Sequence, residues 1–227
     1  MRRLILPLIF GIVGTLVLAS FGVWQVQRLA WKEAVLAEID ARIVAAPVAV
    51  PDAPNPVADK YLPVVVSGRT TGEALEVLVS VKQVGAGYRV ISVFETVAGR
   101  RLLLDEGFVP VAARAALPVV EMEVVGNLHW PDEVDSFTPE PDLSDNLIFA
   151  RDVPFMAEVL KTEPVLVIAR SVSGTDRAVT PLPVTSEGIP NNHLGYAVQW
   201  FGLAIVWAGM TAFFLWRMRR SDREDIK

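Results

Sequence analysis

Two stretches of the chain lack charge altogether. Leu4 to Trp24 reads LILPLIFGIVGTLVLASFGVW, and Val198 to Trp216 reads VQWFGLAIVWAGMTAFFLW. A helix of about 20 apolar residues rises far enough to cross a hydrocarbon layer of roughly 30 Å. Each stretch therefore predicts a membrane span. A cleaved signal peptide is the rival reading of the first, because Arg2 and Arg3 precede it and Ala19 and Ser20 are small. Signal cores run to about 7–15 residues. This one stays apolar to Trp24, which predicts a retained helix.

The pattern between the spans is different. Trp24 to Ala45 contains no Gly or Pro, and Val35, Ile39 and Ile43 recur at helical spacing, so the first helix is expected to continue to about residue 45. Pro47, Pro51, Pro54 and Pro56 then predict a stiff linker. Beyond it the apolar positions become short and β-branched. Tyr61 to Thr70 and Ala74 to Lys82 read as two strands of a hairpin turned at Thr71-Gly72-Glu73. Gly87 to Val97, Arg101 to Pro110, Glu121 to Trp130, a short Leu147 to Arg151, and Pro164 to Val172 read as further strands. Asp152 is placed to cap a short helix with Pro154 in its first turn. Successive hairpins predict a mainly antiparallel sheet.

The expected fold class is membrane α+β: N- and C-terminal transmembrane helices bracketing a mainly antiparallel, β-rich periplasmic domain with short helices. The boundaries are 4–24 for the first span, 46–190 for the domain, 194–217 for the second span and 218–227 for a basic cytoplasmic tail.

Charge sets the orientation. Arg2 and Arg3 flank the first span, and Arg217, Arg219, Arg220 and Arg223 follow the second, so both termini read as cytoplasmic. Arg28 and Lys32 lie on the outer side, but long domains translocate largely regardless of charge. Gln25 to Tyr196 carries 14 Lys and Arg against 23 Asp and Glu, a net of −9. That balance argues against nucleic acid as a partner. The Pro-bearing acidic stretch Asp132 to Asp145 reads as a solvated loop, or as a docking loop for a basic partner, and Ser173 to Pro190 as a loop leading to the second span.

Candidate chemistry is sparse. The chain has no cysteine and two histidines, His129 and His193, neither in a metal-spaced cluster. No P-loop, GxSxG or HExxH motif occurs, so no enzyme is expected. The informative residues lie where both spans meet the outer surface. Trp24, Arg28 and Trp31 share a face at i, i+4 and i+7, with Gln25, Leu29 and Lys32 on an adjacent one. Asn191, Asn192 and His193 precede the second span, followed by Tyr196, Gln199 and Trp200. Their plainer roles are an aromatic belt, snorkelling cations and a helix cap. Their sharper role is a site for a flat, apolar, dianionic ligand such as haem: aromatic walls, an imidazole and cations at the rim.

Several blocks of the chain resemble a known family. GVWQVQRLAWKEAVLAEI (Gly22 to Ile39) and NNHLGYAVQWFGLA (Asn191 to Ala204) are similar to the two ends of the surfeit locus protein 1 family, the cytochrome c oxidase assembly factors. YLPVVVSG, GYRVISVF and LLLDEGFVPV match its middle blocks in order. The resemblance implies a bacterial inner-membrane protein that assists delivery of haem a to the catalytic subunit of cytochrome c oxidase, with that subunit and haem a synthase as partners. It implies His193 as a ligand of the haem iron, with Trp24, Gln25 and Arg28 part of the same site or of a docking surface; Trp31, Tyr196 and Trp200 join the candidate site by their position beside them. The alternative it leaves open is a scaffold that binds no haem and holds the unfinished catalytic subunit. A periplasmic sensor or transporter accessory and a haem-modifying enzyme are further readings. Glu106-Gly107-Phe108-Val109 departs from the Arg-Gly-Trp-Val block usual in the family, reversing a charge.

Overall fold

The computed structural model describes the chain except residues 1, 83, 115–117, 174–178 and 225–227, and leaves the side chains of 2, 3 and 221–224 undescribed. It folds as two compact units. One comprises the residues up to Glu38 together with those from Glu187 onward; the other spans Ile39–Ser186.

The first unit is a helix pair. Helix α1 runs Arg2–Ile43, its last turn belonging to the second unit. The C-terminal helix, α3 below, runs His193–Glu224. Both are long and apolar enough to cross a membrane, and only 6% of each apolar window is buried within the protein. Helices of this length and composition match the thickness of a hydrocarbon layer.

The second unit is a barrel. Its strands are β1 (Val48–Ala49), β2 (Pro63–Val81), β3 (Gly85–Thr96), β4 (Arg101–Pro110), β5 (Glu121–Leu128), β6 (Leu147–Ile148) and β7 (Leu166–Ser173). A single-turn 3-10 helix covers Val111–Ala113, and helix α2 covers Val153–Leu160. Strand β2 pairs with β5 along Pro63 to Arg69 and with β3 along Gly68 to Val81, on opposite edges. The circuit β2–β3–β4–β7–β5 returns to β2, so it closes without a free edge. The ladders are antiparallel except β4–β7 and the short β1–β2 and β2–β6 pairings.

Two expectations are corrected here. Thr71-Gly72-Glu73 does not turn a hairpin: Tyr61 to Lys82 holds one long strand with an irregularity between Thr70 and Ala74, where Gly72 takes φ +87°. The extra residues bend β2, letting one strand serve both ends of the circuit. The Pro-rich linker also supplies a strand, because Val48 and Ala49 pair with Val64 and Val65, and Val50 packs against the barrel interior.

Alternation along the strands divides the core in two. Val64, Phe94, Leu102, Leu104, Val124, Leu128 and Val167 fill the interior. Leu75, Ile91, Val93, Leu103 and Ile168 point outward under α2, against Met156, Ala157 and Leu160. Burying a side chain of this size stabilises by about 1.5–3 kcal/mol. Helix α2 starts where the Asp152 carboxylate accepts from Phe155 N and stops at Lys161, which is left-handed.

Candidate ligand site on the helix pair

Small residues on α1 let α3 come close. A Cβ at Gly11 would lie 2.0 Å from Thr211 Cγ2, one at Gly14 2.4 Å from Trp207 Nε1, and one at Gly22 2.7 Å from Phe201 Cε1. These contacts make the pair antiparallel. Phe10 packs on Trp207 with ring centroids 5.4 Å apart, and Phe21 on Trp200 at 4.8 Å.

At the His193 end the packing gives way to polar contact. Gln25 is buried, 8% exposed, and faces α3. A buried amide needs a partner, and here it is the imidazole: His193 Nδ1 lies 2.8 Å from Gln25 Oε1. An amide oxygen only accepts, so Nδ1 carries the proton. In the neutral ring Nε2 then keeps its lone pair, the form in which imidazole ligates a metal. Asn191 Oδ1, two residues earlier, is buried without a hydrogen-bond partner.

The other candidates gather less tightly. The Arg28 guanidinium lies over the Trp31 ring at 3.8 Å. Trp24, Trp31 and Tyr196 stay about half exposed, at 54%, 49% and 51%. Trp200 is half-buried against Phe21. Phe21 was not among the sequence candidates, although it lies four residues before Gln25 on the same stripe. Among the described residues no three His, Asp or Glu side chains are grouped to hold a bare metal ion.

The barrel unit holds a second polar centre. Asp105 is fully buried, paired to Arg89 Nε and, at 3.3 Å, to Arg151 Nη1. Arg89 also donates to Leu182 O at 2.7 Å, and Arg151 to Glu133. Burial pushes the Asp105 carboxyl upward, and the two guanidinium groups oppose the shift. His129 stacks on Tyr61 at 5.2 Å with Nδ1 unpartnered, and burial, then Lys60 and Arg151, hold its pKa down to about 4. Glu106 is buried facing the interior and accepts from Ser92 Oγ. Gly107 takes φ +118°, and a Cβ there would sit 2.1 Å from Thr180 O. The expected loop from Ser173 to Pro190 is therefore partly a barrel element, because Thr180 bridges Phe108. Asn127 Nδ2 and Arg170 Nη1 both donate to Ile43 O, fastening the last turn of α1. These groups lock segments together, and their chemistry is that of a structural network.

A sequence model described as the SURF1 family matches residues 12–205, most of the chain and both ends of the Gln25–His193 contact. The chain belongs to the SURF1 family. It is similar to Surfeit locus protein 1 of Xenopus tropicalis, 30% identical across 81% of this chain and 67% of the relative. The human Surfeit locus protein 1 is 29% identical over 82% of this chain and 69% of its own. A SURF1-like protein of the bacterium Rickettsia felis is 24% identical over 83% and 88%. The SURF1 match extends from α1 to the middle of α3, so it takes in the helix pair and the barrel alike.

Proposed function

We propose that this SURF1-family protein is a membrane-anchored assembly factor for haem–copper cytochrome c oxidase. It carries haem a at the Gln25–His193 end of the helix pair and presents it to the unfinished catalytic subunit. Both helices span the inner membrane of a bacterium, the barrel lies in the periplasm, and both termini are cytoplasmic. Haem a synthase is the donor. The protein acts as a carrier and performs no chemistry on the haem.

One observation carries the reading: the hydrogen bond from His193 Nδ1 to Gln25 Oε1. Histidines that ligate metals donate their other ring N–H to a carbonyl or carboxylate, which fixes tautomer and orientation. A lone imidazole cannot hold a bare ion. It can hold an iron already bound in a macrocycle, and that chemistry belongs to the haem. Aromatic rings at Trp24, Trp31, Tyr196 and Trp200 offer walls, and Arg28 a cation for propionates.

The test is an absorption spectrum of protein purified from cells that make haem a. A Soret band is expected, and His193→Ala should remove it. Full occupancy in that variant would rule out His193 as the ligand.

The exposed Trp24, Trp31 and Tyr196 also favour a second reading, a scaffold that holds the catalytic subunit through these rings. It is supported if the subunit is captured when haem a synthesis is disabled, and fails if capture then stops.

A further inference from the structure

Below the Gln25–His193 contact a groove runs along one side of the helix pair. Its volume is about 560 Å³, within the roughly 300–1,000 Å³ of small-molecule sites. Val17, Leu18, Phe10, Leu203, Val206 and Met210 form its walls, and Gly14 and Trp207 its floor.

The groove continues the site already described. On α1, Gln25, Phe21, Leu18, Gly14 and Phe10 succeed one another at spacings of three and four, a single stripe. On α3, His193, Ala197, Trp200, Leu203, Trp207 and Met210 do the same. The Phe21–Trp200 ring pair stands between the polar contact above and the groove below. At 1.5 Å per residue, the groove begins about 10 Å below Gln25 and ends about 22 Å below it. A second groove on the pair, about 340 Å³, lies on Gly11, Thr15 and Thr211, off this stripe.

We infer that the larger groove binds the long isoprenoid tail of the ligand whose planar head is held at Gln25–His193. The inference rests on the haem a reading and adds which part of the protein selects that haem. Lipid tails are as apolar as the groove, so transfer from water supplies no preference inside a bilayer. Tethering does. Once His193 holds the head, the tail is presented to the groove at high effective concentration, and packing against Phe10 and Trp207 retains it.

The test uses the full chain in phospholipid nanodiscs, titrated with haem a, haem o and haem b and followed by the Soret band. Haem o has the tail without the formyl group; haem b has neither. Haem a and haem o are expected to bind at least about tenfold tighter than haem b. Val206→Trp fills the groove from α3 and Val17→Phe fills it from α1. Each is expected to bring haem a and haem o down to the level of haem b without weakening haem b. Ile205→Trp, 73% exposed and outside the lining, should change nothing.

Equal affinity of the wild type for all three haems overturns the tail groove and leaves the haem site standing. No binding of any haem overturns the reading beneath it. If the filled variants keep the preference but lose a co-purified phospholipid, or lose capture of the catalytic subunit, the groove holds an acyl chain or a partner helix and the inference falls.

Discussion

His193 Nδ1 lies 2.8 Å from Oε1 of Gln25, a residue 168 positions earlier in the chain. The contact fixes one imidazole tautomer at the start of α3. Gln25→Leu preserves side-chain bulk and removes the acceptor. Losing such a partner weakens metal affinity by about 10- to 100-fold, so haem a affinity should fall by that factor while a Soret band survives at high haem. Gln25→Glu restores an acceptor and should recover affinity. Haem titrations of the two variants check this.

Asp105 holds two arginines in the barrel with almost no water access. Asp105→Ala leaves Arg89 and Arg151 short of a counter-charge, and breaking a buried ion pair costs about 3–5 kcal/mol. Guanidinium unfolding followed by circular dichroism should show a lower midpoint and an unfolding free energy reduced by that amount. Asp105→Asn keeps the shape and one acceptor and should lose less.

His129 titrates at about 4 in the folded protein, against 6.5 for the free side chain. The folded state therefore binds fewer protons than the unfolded chain between those values. Stability contributed by the neutral ring is present above 6.5 and is lost as pH falls toward 4. His129→Phe keeps the stack on Tyr61 and should flatten the pH dependence in that window by up to one proton. Unfolding free energies measured at half-unit pH steps for both proteins give the slope.

Gly107 has φ +118°, and Thr180 O lies where a Cβ at this position would point. Gly107→Ala pays backbone strain of about 1–3 kcal/mol and pushes the strand bridge apart. Lower thermal stability is expected, with faster proteolysis around Thr180. Gly99, at φ +80° but with open space around it, should lose only the strain.

Much of the architecture was legible along the chain. Leu4 to Trp24 and Val198 to Trp216 declare themselves because hydropathy and length are local properties. Arg101 to Pro110 was read to its ends, because Gly99, at φ +80°, turns the chain just before it. Asp152 was found because a cap acts within three residues of itself. The error at Thr71-Gly72-Glu73 has the same origin. A glycine at positive φ serves a turn or a bulge equally well, and only the strands available to pair with decide which. Of the site residues, the sequence placed Gln25 and His193 near one surface but did not single out their contact from Trp24, Arg28 and Trp31 nearby.

The amino-acid order alone determined two apolar helices, a β-rich segment between them, an acidic middle and basic ends. Periodicity and charge are written within a few residues of each position. Tertiary structure decided what depends on distant partners. It closed the barrel by pairing both halves of β2 with strands far away in the chain, and it buried Asp105 between Arg89 and Arg151. It also turned Gln25, rather than Trp24, toward α3, because the glycines of α1 fix which face meets the second helix. The imidazole tautomer at His193 follows from that rotation, and no local pattern specifies it.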